Sequence, residues 1–263
     1  MVREILRPAT VREALRMGRR PGAAWLGGGT WLNAPGAGRA EVLVSLERLG
    51  LGKVERAGTV CRLGASATLQ QIVDSRDAPP AVRRAAALTA ARTVRNMATL
   101  GGELGLRPPG SVLIPVLLAL DAQVLLAGRL SALGLEEHCR GREGGLVLGV
   151  RIDHPLPCAV EALSITSRSR RTLVVAVGLR VGPDGALRGV RIAAGDGCGL
   201  MLRLRSAEEA MEGRPPMPDE EIGNLVRDAF WPNPDMHASG AYKRHMAGVL
   251  AADLVHALAG GTP

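Results

Sequence analysis

An α+β fold is what the sequence predicts, and three observations predict it. Helix-start signals alternate with short apolar, strand-like runs through the first half. A proline-rich break, Asp153-His154-Pro155-Leu156-Pro157, then interrupts the pattern. Beyond it, strand-like runs come first and helical segments follow, the order of a sheet covered by helices. The 263 residues suffice for one large or two ordinary domains. The break sets the expected boundary, giving domains 1–155 and 156–263.

Thr10-Val11-Arg12-Glu13 fits a capping box, in which hydroxyl and carboxylate each satisfy a free amide of a helix's first turn, so a short helix is predicted there. Ala24-Trp25-Leu26 reads as a brief buried strand running into Gly27-Gly28-Gly29-Thr30, and Val42-Leu43-Val44 as another. Val54 to Ala57 and Val60 to Leu63 flank Gly58 as a hairpin. Thr68-Leu69-Gln70-Gln71 repeats the capping logic for a helix through Asp74. Pro79-Pro80 opens an alanine-rich helix to about Ala91, since proline is tolerated in a first turn. Pro115 to Leu120 reads as helix, and Ala122 to Leu126 and Leu146 to Ile152 as strands.

In the second half, Val160 to Ile165, Thr172 to Val181 and Ala186 to Ala194 read as strands, the last two joined by the turn Gly182-Pro183-Asp184-Gly185. Helices are predicted opening at Ser206, from about Asp219 to Phe230, and from about Gly240 to Ala259, where Gly260-Gly261 closes the last.

Composition excludes several function classes. No apolar run approaches the roughly 18 residues needed to cross a bilayer, and the acid and proline in Met1 to Pro8 do not suit an export signal; a cytoplasmic location is expected. Cys61, Cys139, Cys158 and Cys198 lie far apart, without a C-x-x-C pair for zinc or iron–sulfur ligation, and read as isolated small core residues. The net charge of +8 suggests nucleic acid, but single-strand binders need stacking platforms and only 2% of residues are aromatic. Basic residues, all Arg except Lys53 and Lys243, are dispersed, which points to compositional bias before an anionic ligand or acidic partner.

Two segments carry the chemistry. Gly27-Gly28-Gly29-Thr30 and Thr99-Leu100-Gly101-Gly102 each offer amides with no Cβ in the way, so the backbone can close on a diphosphate. Either alone reads as a plain tight turn; together they point to an anion cradle. Neither is a G-x-x-x-x-G-K-[ST] or a G-x-G-x-x-G motif. Gly195-Asp196-Gly197-Cys198-Gly199 reads as a turn after a strand.

Four blocks, Leu26-Gly27-Gly28-Gly29-Thr30, Leu63-Gly64-Ala65-Ser66-Ala67-Thr68-Leu69, Val94-Arg95-Asn96-Met97-Ala98-Thr99-Leu100-Gly101-Gly102 and Pro115 to Ala122, resemble in order and spacing the FAD-binding medium subunit of the xanthine dehydrogenase and carbon monoxide dehydrogenase family of molybdenum hydroxylases. The closing Tyr242-Lys243-Arg244 helix is similar to that family's too. Leu32-Asn33-Ala34 and Gly102-Glu103 resemble a bacterial branch found with selenate-reductase and purine-catabolism proteins.

The resemblance implies a vanillyl-alcohol-oxidase-type (PCMH) FAD fold of two subdomains, about 1–56 and 57–155, followed by a small α+β C-terminal domain of the CO dehydrogenase flavoprotein type. It implies noncovalent FAD and an electron-transfer role, with a molybdopterin-binding subunit and a 2Fe–2S subunit as partners. It also implies that Gly28, Gly29 and Thr30 cradle one side of the pyrophosphate and Thr99, Gly101 and Gly102 the other, with Leu26, Gly27 and Trp31 lining the first loop. Three positions depart from the family: Trp31 and Val112 stand where it usually has Asp, and Glu103 where it has Asn. A scaffold subunit that has lost its flavin is the alternative these departures raise.

Other residues divide between readings. Trp31 packs on the cofactor or anchors the core. Glu103 hydrogen-bonds ribityl hydroxyls in place of Asn, or is a solvated carboxylate at a loop edge. Asp121 reads as a structural turn or cap residue. Arg168-Ser169-Arg170-Arg171 reads as a solvated loop before a steering patch. The five histidines form no ligand pair.

Overall fold

A computed structural model of the chain describes residues 2–32, 40–141, 145–166 and 169–260. Asn33-Ala34, Arg168 and Gly261, which figured in the sequence reading, lie outside the described residues.

The first unit contains β1 (Glu4–Leu6), α1 (Val11–Gly18), β2 (Ala23–Leu26) and β3 (Val42–Ser45). Its strands form a parallel sheet in the order β1-β3-β2. Thr10 caps α1 through Glu13 N as expected, but the Glu13 carboxylate accepts from Ala9 N, one residue before the cap. The helix ends where Gly18 lets the Trp25 ring lie against the backbone; a Cβ there would overlap the ring.

The second unit opens with the hairpin β4 (Val54–Ala57) and β5 (Val60–Gly64). A helical stretch follows: α2 (Leu69–Asp74), α3 (Pro80–Thr89), α4 (Arg92–Arg95), α5 (Leu100–Leu106) and α6 (Leu113–Ala119). Then come β6 (Gln123–Leu126), β7 (Leu133–Gly134), α7 (Leu135–Arg140) and β8 (Val147–Asp153). The strands form an antiparallel sheet in the order β4-β5-β8-β6-β7. Thr68 and Gln71 make the full reciprocal capping box at α2.

The third unit is an antiparallel sheet, β12-β11-β10-β9, built from β9 (Cys158–Leu163), β10 (Leu173–Val181), β11 (Leu187–Gly195) and β12 (Met201–Arg203). It is followed by α8 (Arg205–Met211), α9 (Asp219–Ala229) and α10 (Gly240–Ala259). Ser206 sits inside the first turn of α8 and does not cap it; the cap position is Leu204. β10 shows no apolar alternation because both its faces are covered. Val174 and Ala176 join a core with Val116 and Leu117 of α6, whereas Leu173, Val175, Val177 and Leu179 join one with Ala247, Ala251 and Val255 of α10. That two-sided burial ties the third unit to the second.

The Tyr242-Lys243-Arg244 signature closes the fold. Lys243 is 1% exposed, and its Nζ donates to Asp196 O at 2.8 Å, Asn233 O at 2.9 Å and Asp235 Oδ2 at 2.8 Å, using all three ammonium hydrogens. The Asp196 carboxylate accepts from the amides of Cys198, Leu200 and Asn233. Cys198 is exposed, with Sγ 3.5 Å from Lys243 Nζ, so it is not the core residue that cysteine spacing suggested. No helix among the described residues is long and apolar enough to cross a membrane.

Candidate functional site

The glycines following β2 leave the carboxyl end of the parallel sheet, a place where loops gather ligand sites. They face α5 across a cleft of about 360 Å³, within the range of small-molecule sites. Nine of the ten expected site residues line it: Gly27, Gly28, Gly29, Thr30, Trp31, Thr99, Gly101, Gly102 and Glu103. Leu26 does not; it is a strand residue whose carbonyl accepts from Leu46 N at 3.0 Å, while Ala24 and Trp25 reach the cleft instead.

The two glycine segments do different work. Among the described residues, no protein acceptor engages the amides of Gly27, Gly28, Gly29 or Thr30. Gly29 has φ +69, a left-handed conformation that glycine adopts without strain. At Gly28 the backbone passes directly over the Met97 carbonyl, and a Cβ would overlap that oxygen.

The second segment is not a loop, which corrects the sequence reading. Thr99 is an N-cap, and Gly101 and Gly102 lie in the first turn of α5 with helical backbone. Their amides are not bare. Leu100 N donates to Ala67 O at 3.0 Å, Gly101 N to Ala65 O at 2.7 Å, Gly102 N to Thr99 Oγ1 at 3.2 Å and Glu103 N to Thr99 O at 3.0 Å. The physical reason is position: the 65–69 strand-like segment runs alongside and consumes the donors, and Leu69 N returns a bond to Ala98 O at 2.8 Å. This pairing gives the Ala65 to Leu69 block a role that its sequence alone did not disclose.

What α5 offers the cleft is therefore surface without side chains. A Cβ at Gly101 would press on Ala65, at 2.9 Å from its Cβ and 3.0 Å from its O, so that glycine serves packing. At Gly102 a Cβ would meet only Thr99 Oγ1, at 3.2 Å, and would otherwise project into open space.

Glu103 is buried, which overturns the solvated alternative. Its Oε1 accepts from Ser111 Oγ at 2.6 Å, and burial pushes the acid above the usual carboxylate range while the Ser111 bond pulls it back. Trp31 is 49% exposed, so it is no core anchor. Val112 is fully buried within the α6 core and presents nothing polar to the cleft. Asp121 has φ +53 and accepts from Arg203 Nη1 at 3.0 Å, a structural role as expected.

Two basic residues of the cleft, Arg107 and His138, were not assigned to the site from the sequence, in which His138 reads as a surface or satisfied histidine. Arg107 ends α5 in a left-handed conformation, φ 49 and ψ 58, and clasps the carbonyls of His138, Cys139 and Gly141 at 2.8–3.0 Å. His138 is buried, its Nε2 lies 3.2 Å from Leu104 O, and burial lowers its proton affinity, so it is a satisfied histidine at the cleft wall.

Comparison with known proteins agrees with this geometry. Residues 1–152 match the FAD binding domain in molybdopterin dehydrogenase, and residues 169–258 match the CO dehydrogenase flavoprotein C-terminal domain. The chain belongs to this flavoprotein family of oxidoreductases, whose cofactor is FAD. It is 36% identical over 259 residues to the uncharacterized protein YgfM of Escherichia coli strain K12, covering 97% of this chain and 95% of that one.

Among solved structures it superposes on a carbon monoxide dehydrogenase from Hydrogenophaga pseudoflava that lacks the Mo-pyranopterin moiety of the molybdenum cofactor, with a TM-score of 0.87, 23% identity and coverage of 98% and 97% of the two chains. It also superposes on quinoline 2-oxidoreductase from Pseudomonas putida 86, with a TM-score of 0.87, 20% identity and coverage of 99% and 98%. Identities this low carry the fold alone, and that fold is the one the four sequence blocks implied.

Proposed function

We propose that this chain is the FAD-binding electron-transfer subunit of a molybdenum-hydroxylase-type complex, passing electrons between Fe–S centres on a partner and a final acceptor. The observation that carries the reading is the run of amides from Gly27 to Thr30 that no acceptor engages among the described residues, at a cleft also lined by the bare Cα surface of Gly102. Consecutive free N–H groups with no side chain in the way suit a diphosphate. Bound flavin supplies one- and two-electron redox chemistry, so the protein needs to position it more than to act as acid or base.

Within this reading, Gly27, Gly28, Gly29 and Thr30 hold the pyrophosphate from one side. Thr99 holds Gly102 in place by capping α5, Gly101 seats that helix on Ala65, and the half-exposed Trp31 lines the cleft. Leu26 acts at one remove, by fixing the strand end from which the loop departs. The departures from the family pattern leave this set intact, because Val112 is in the core and Trp31 and Glu103 still line the cleft.

The partners we propose are a molybdopterin-binding subunit and a 2Fe–2S subunit, consistent with the molybdenum cofactor in the name of the Hydrogenophaga neighbour. A xanthine dehydrogenase-like activity, a cytoplasmic location and functional domains 1–155 and 156–263 complete the proposal. A place in the branch found with selenate-reductase proteins rests only on Leu32-Asn33-Ala34 and Gly102-Glu103, and the matched relatives lend it no support.

Titration of purified protein with FAD tests the reading. The expected result is a yellow protein that quenches flavin fluorescence at one equivalent. A colourless protein with no saturable FAD binding would leave the scaffold alternative in its place.

A further inference from the structure

Glu103 occupies an unusual position. It lines the glycine cleft and also a second cavity of about 500 Å³, walled by the end of α3, Pro108 to Ser111 and Ser169 to Arg171. It is the one residue common to both linings. Its side chain is a partition between two spaces, in a residue only 9% exposed.

The hydrogen bonding of the partition is lopsided. The Ser111 hydroxyl accepts from Ile114 N at 3.3 Å and so has its one hydrogen free to give to Glu103 Oε1. Among the described residues no hydrogen bond engages Oε2, while the residue borders both cavities. No cation among the described residues pairs with the carboxyl. Arg107 spends its Nη1 on three backbone carbonyls, and Arg171 gives its guanidinium to Ser164 Oγ and Leu88 O. Arg170 lines the second cavity with its stem against Gly110, and His138 of α7 turns its Nε2 to Leu104 O.

The elements packed on α5 add nothing charged. Strands β5 and β8 turn Leu63, Val150 and Ile152 into the core shared with α5, leaving Arg62, Arg151 and Asp153 on the opposite face. Helix α6 carries only apolar residues. Among the described residues an ionised carboxyl here would be a buried charge without a counter-ion, and burial drives such a group toward its neutral form.

Resting on the FAD reading above, we propose that Glu103 serves as an un-ionised acid whose O–H donates to the bound cofactor, and that ionising it releases the cofactor. An ionised carboxylate has no hydrogen to donate and adds a negative charge beside an already anionic diphosphate. The sign follows: affinity is full at low pH and falls as pH rises through the range where Glu103 loses its proton, which burial has displaced upward. By linkage, binding must take up a proton.

The test is the FAD Kd, from flavin fluorescence quenching, between about pH 5 and about pH 9, a span that brackets documented buried glutamates. The parent is expected to bind at least about tenfold more weakly at the alkaline end, or about 1.4 kcal/mol. Glu103→Gln keeps a neutral donor at the same place and is expected to bind with a Kd nearly independent of pH. A flat parent profile, or a Gln variant that keeps the parent's slope, overturns the proposal.

Calorimetry of the parent in buffers of different ionisation enthalpy needs no variant. Proton uptake on FAD binding at the alkaline end, where Glu103 of the free protein is ionised, supports the proposal, and its absence there overturns it. Protein that binds no FAD at any pH overturns the cofactor reading itself, a result distinct from tight binding that ignores pH.

Discussion

Gly102→Val separates a glycine needed by a ligand from one needed by the fold. The Cβ direction at Gly102 leads into the cleft, with Thr99 Oγ1 at 3.2 Å as the sole near neighbour. On the folding side two small terms oppose one another. Removing glycine from a helical position gains roughly 0.4 kcal/mol, the difference between Gly and Val propensities. Crowding the Thr99 cap risks part of the roughly 0.5–2 kcal/mol that an N-cap contributes. The net loss stays under about 1.5 kcal/mol, a Tm change of at most about 6 °C for a chain of this size.

On the binding side, the isopropyl group fills space that the bare Cα surface leaves to the diphosphate. FAD affinity is expected to fall at least about tenfold, or about 1.4 kcal/mol. Fluorescence titration gives the affinity, and far-UV circular dichroism with apo-state melting gives the fold. An affinity within about threefold of the parent, below about 0.7 kcal/mol, would refute the placement of the cradle at Gly102. Gly102→Ala, with one carbon in the same direction, should give an intermediate loss.

Other expected outcomes follow from the same geometry. Gly28→Ala forces the chain off the Met97 carbonyl, so it should lose FAD binding and also about 1–3 kcal/mol of stability, seen as a lower apo Tm; an unchanged Tm would contradict the close approach. Lys243→Met strands Asp235 and two backbone carbonyls around a buried position, and should cost about 3–5 kcal/mol by urea denaturation. Burial opposes ionisation of Asp235, but the Lys243 bond and the amides of His237 and Ala238 outweigh it and hold the acid at about 2. Its contribution should be present above the ordinary Asp range near about 4 and disappear as pH falls toward about 2; the gap between parent and Lys243→Met should then narrow in acid without closing, because the bonds to Asp196 O and Asn233 O persist, and equal spacing at all pH values would refute the pairing.

Elements with local causes were legible in the sequence. The Thr68–Gln71 box, the Gly58 hairpin and the span of α10 each depend on residues a few positions apart, and each forms as expected. Elements with distant causes were not. Glu4-Ile5-Leu6 is too short to show a pattern and becomes β1 only because β3 lies alongside it. Helix α5 contains Gly101 and Gly102, each about 1 kcal/mol poorer than Ala in a helix, so propensity reads a loop. Ala65 and Ala67 decide otherwise by accepting the first-turn amides.

The candidate site divides in the same way. Its glycines announce themselves as residues without side chains, and all five come to the cleft. Arg107 and His138 carry no such signal. One arrives through a left-handed helix end and the other from a helix more than thirty residues later, and tertiary packing alone brings them together.

The central claim to test is that this chain carries flavin inside a molybdenum and iron–sulfur assembly. Affinity purification of the tagged chain from its native host, followed by flavin, molybdenum and iron analysis of the intact complex, measures all three at once. The expected result is one FAD per chain, co-eluting with molybdopterin and 2Fe–2S proteins, with the flavin bleached when the complex is reduced. A chain that elutes without flavin while holding the same partners, or one that binds flavin and turns over a substrate alone, would contradict it.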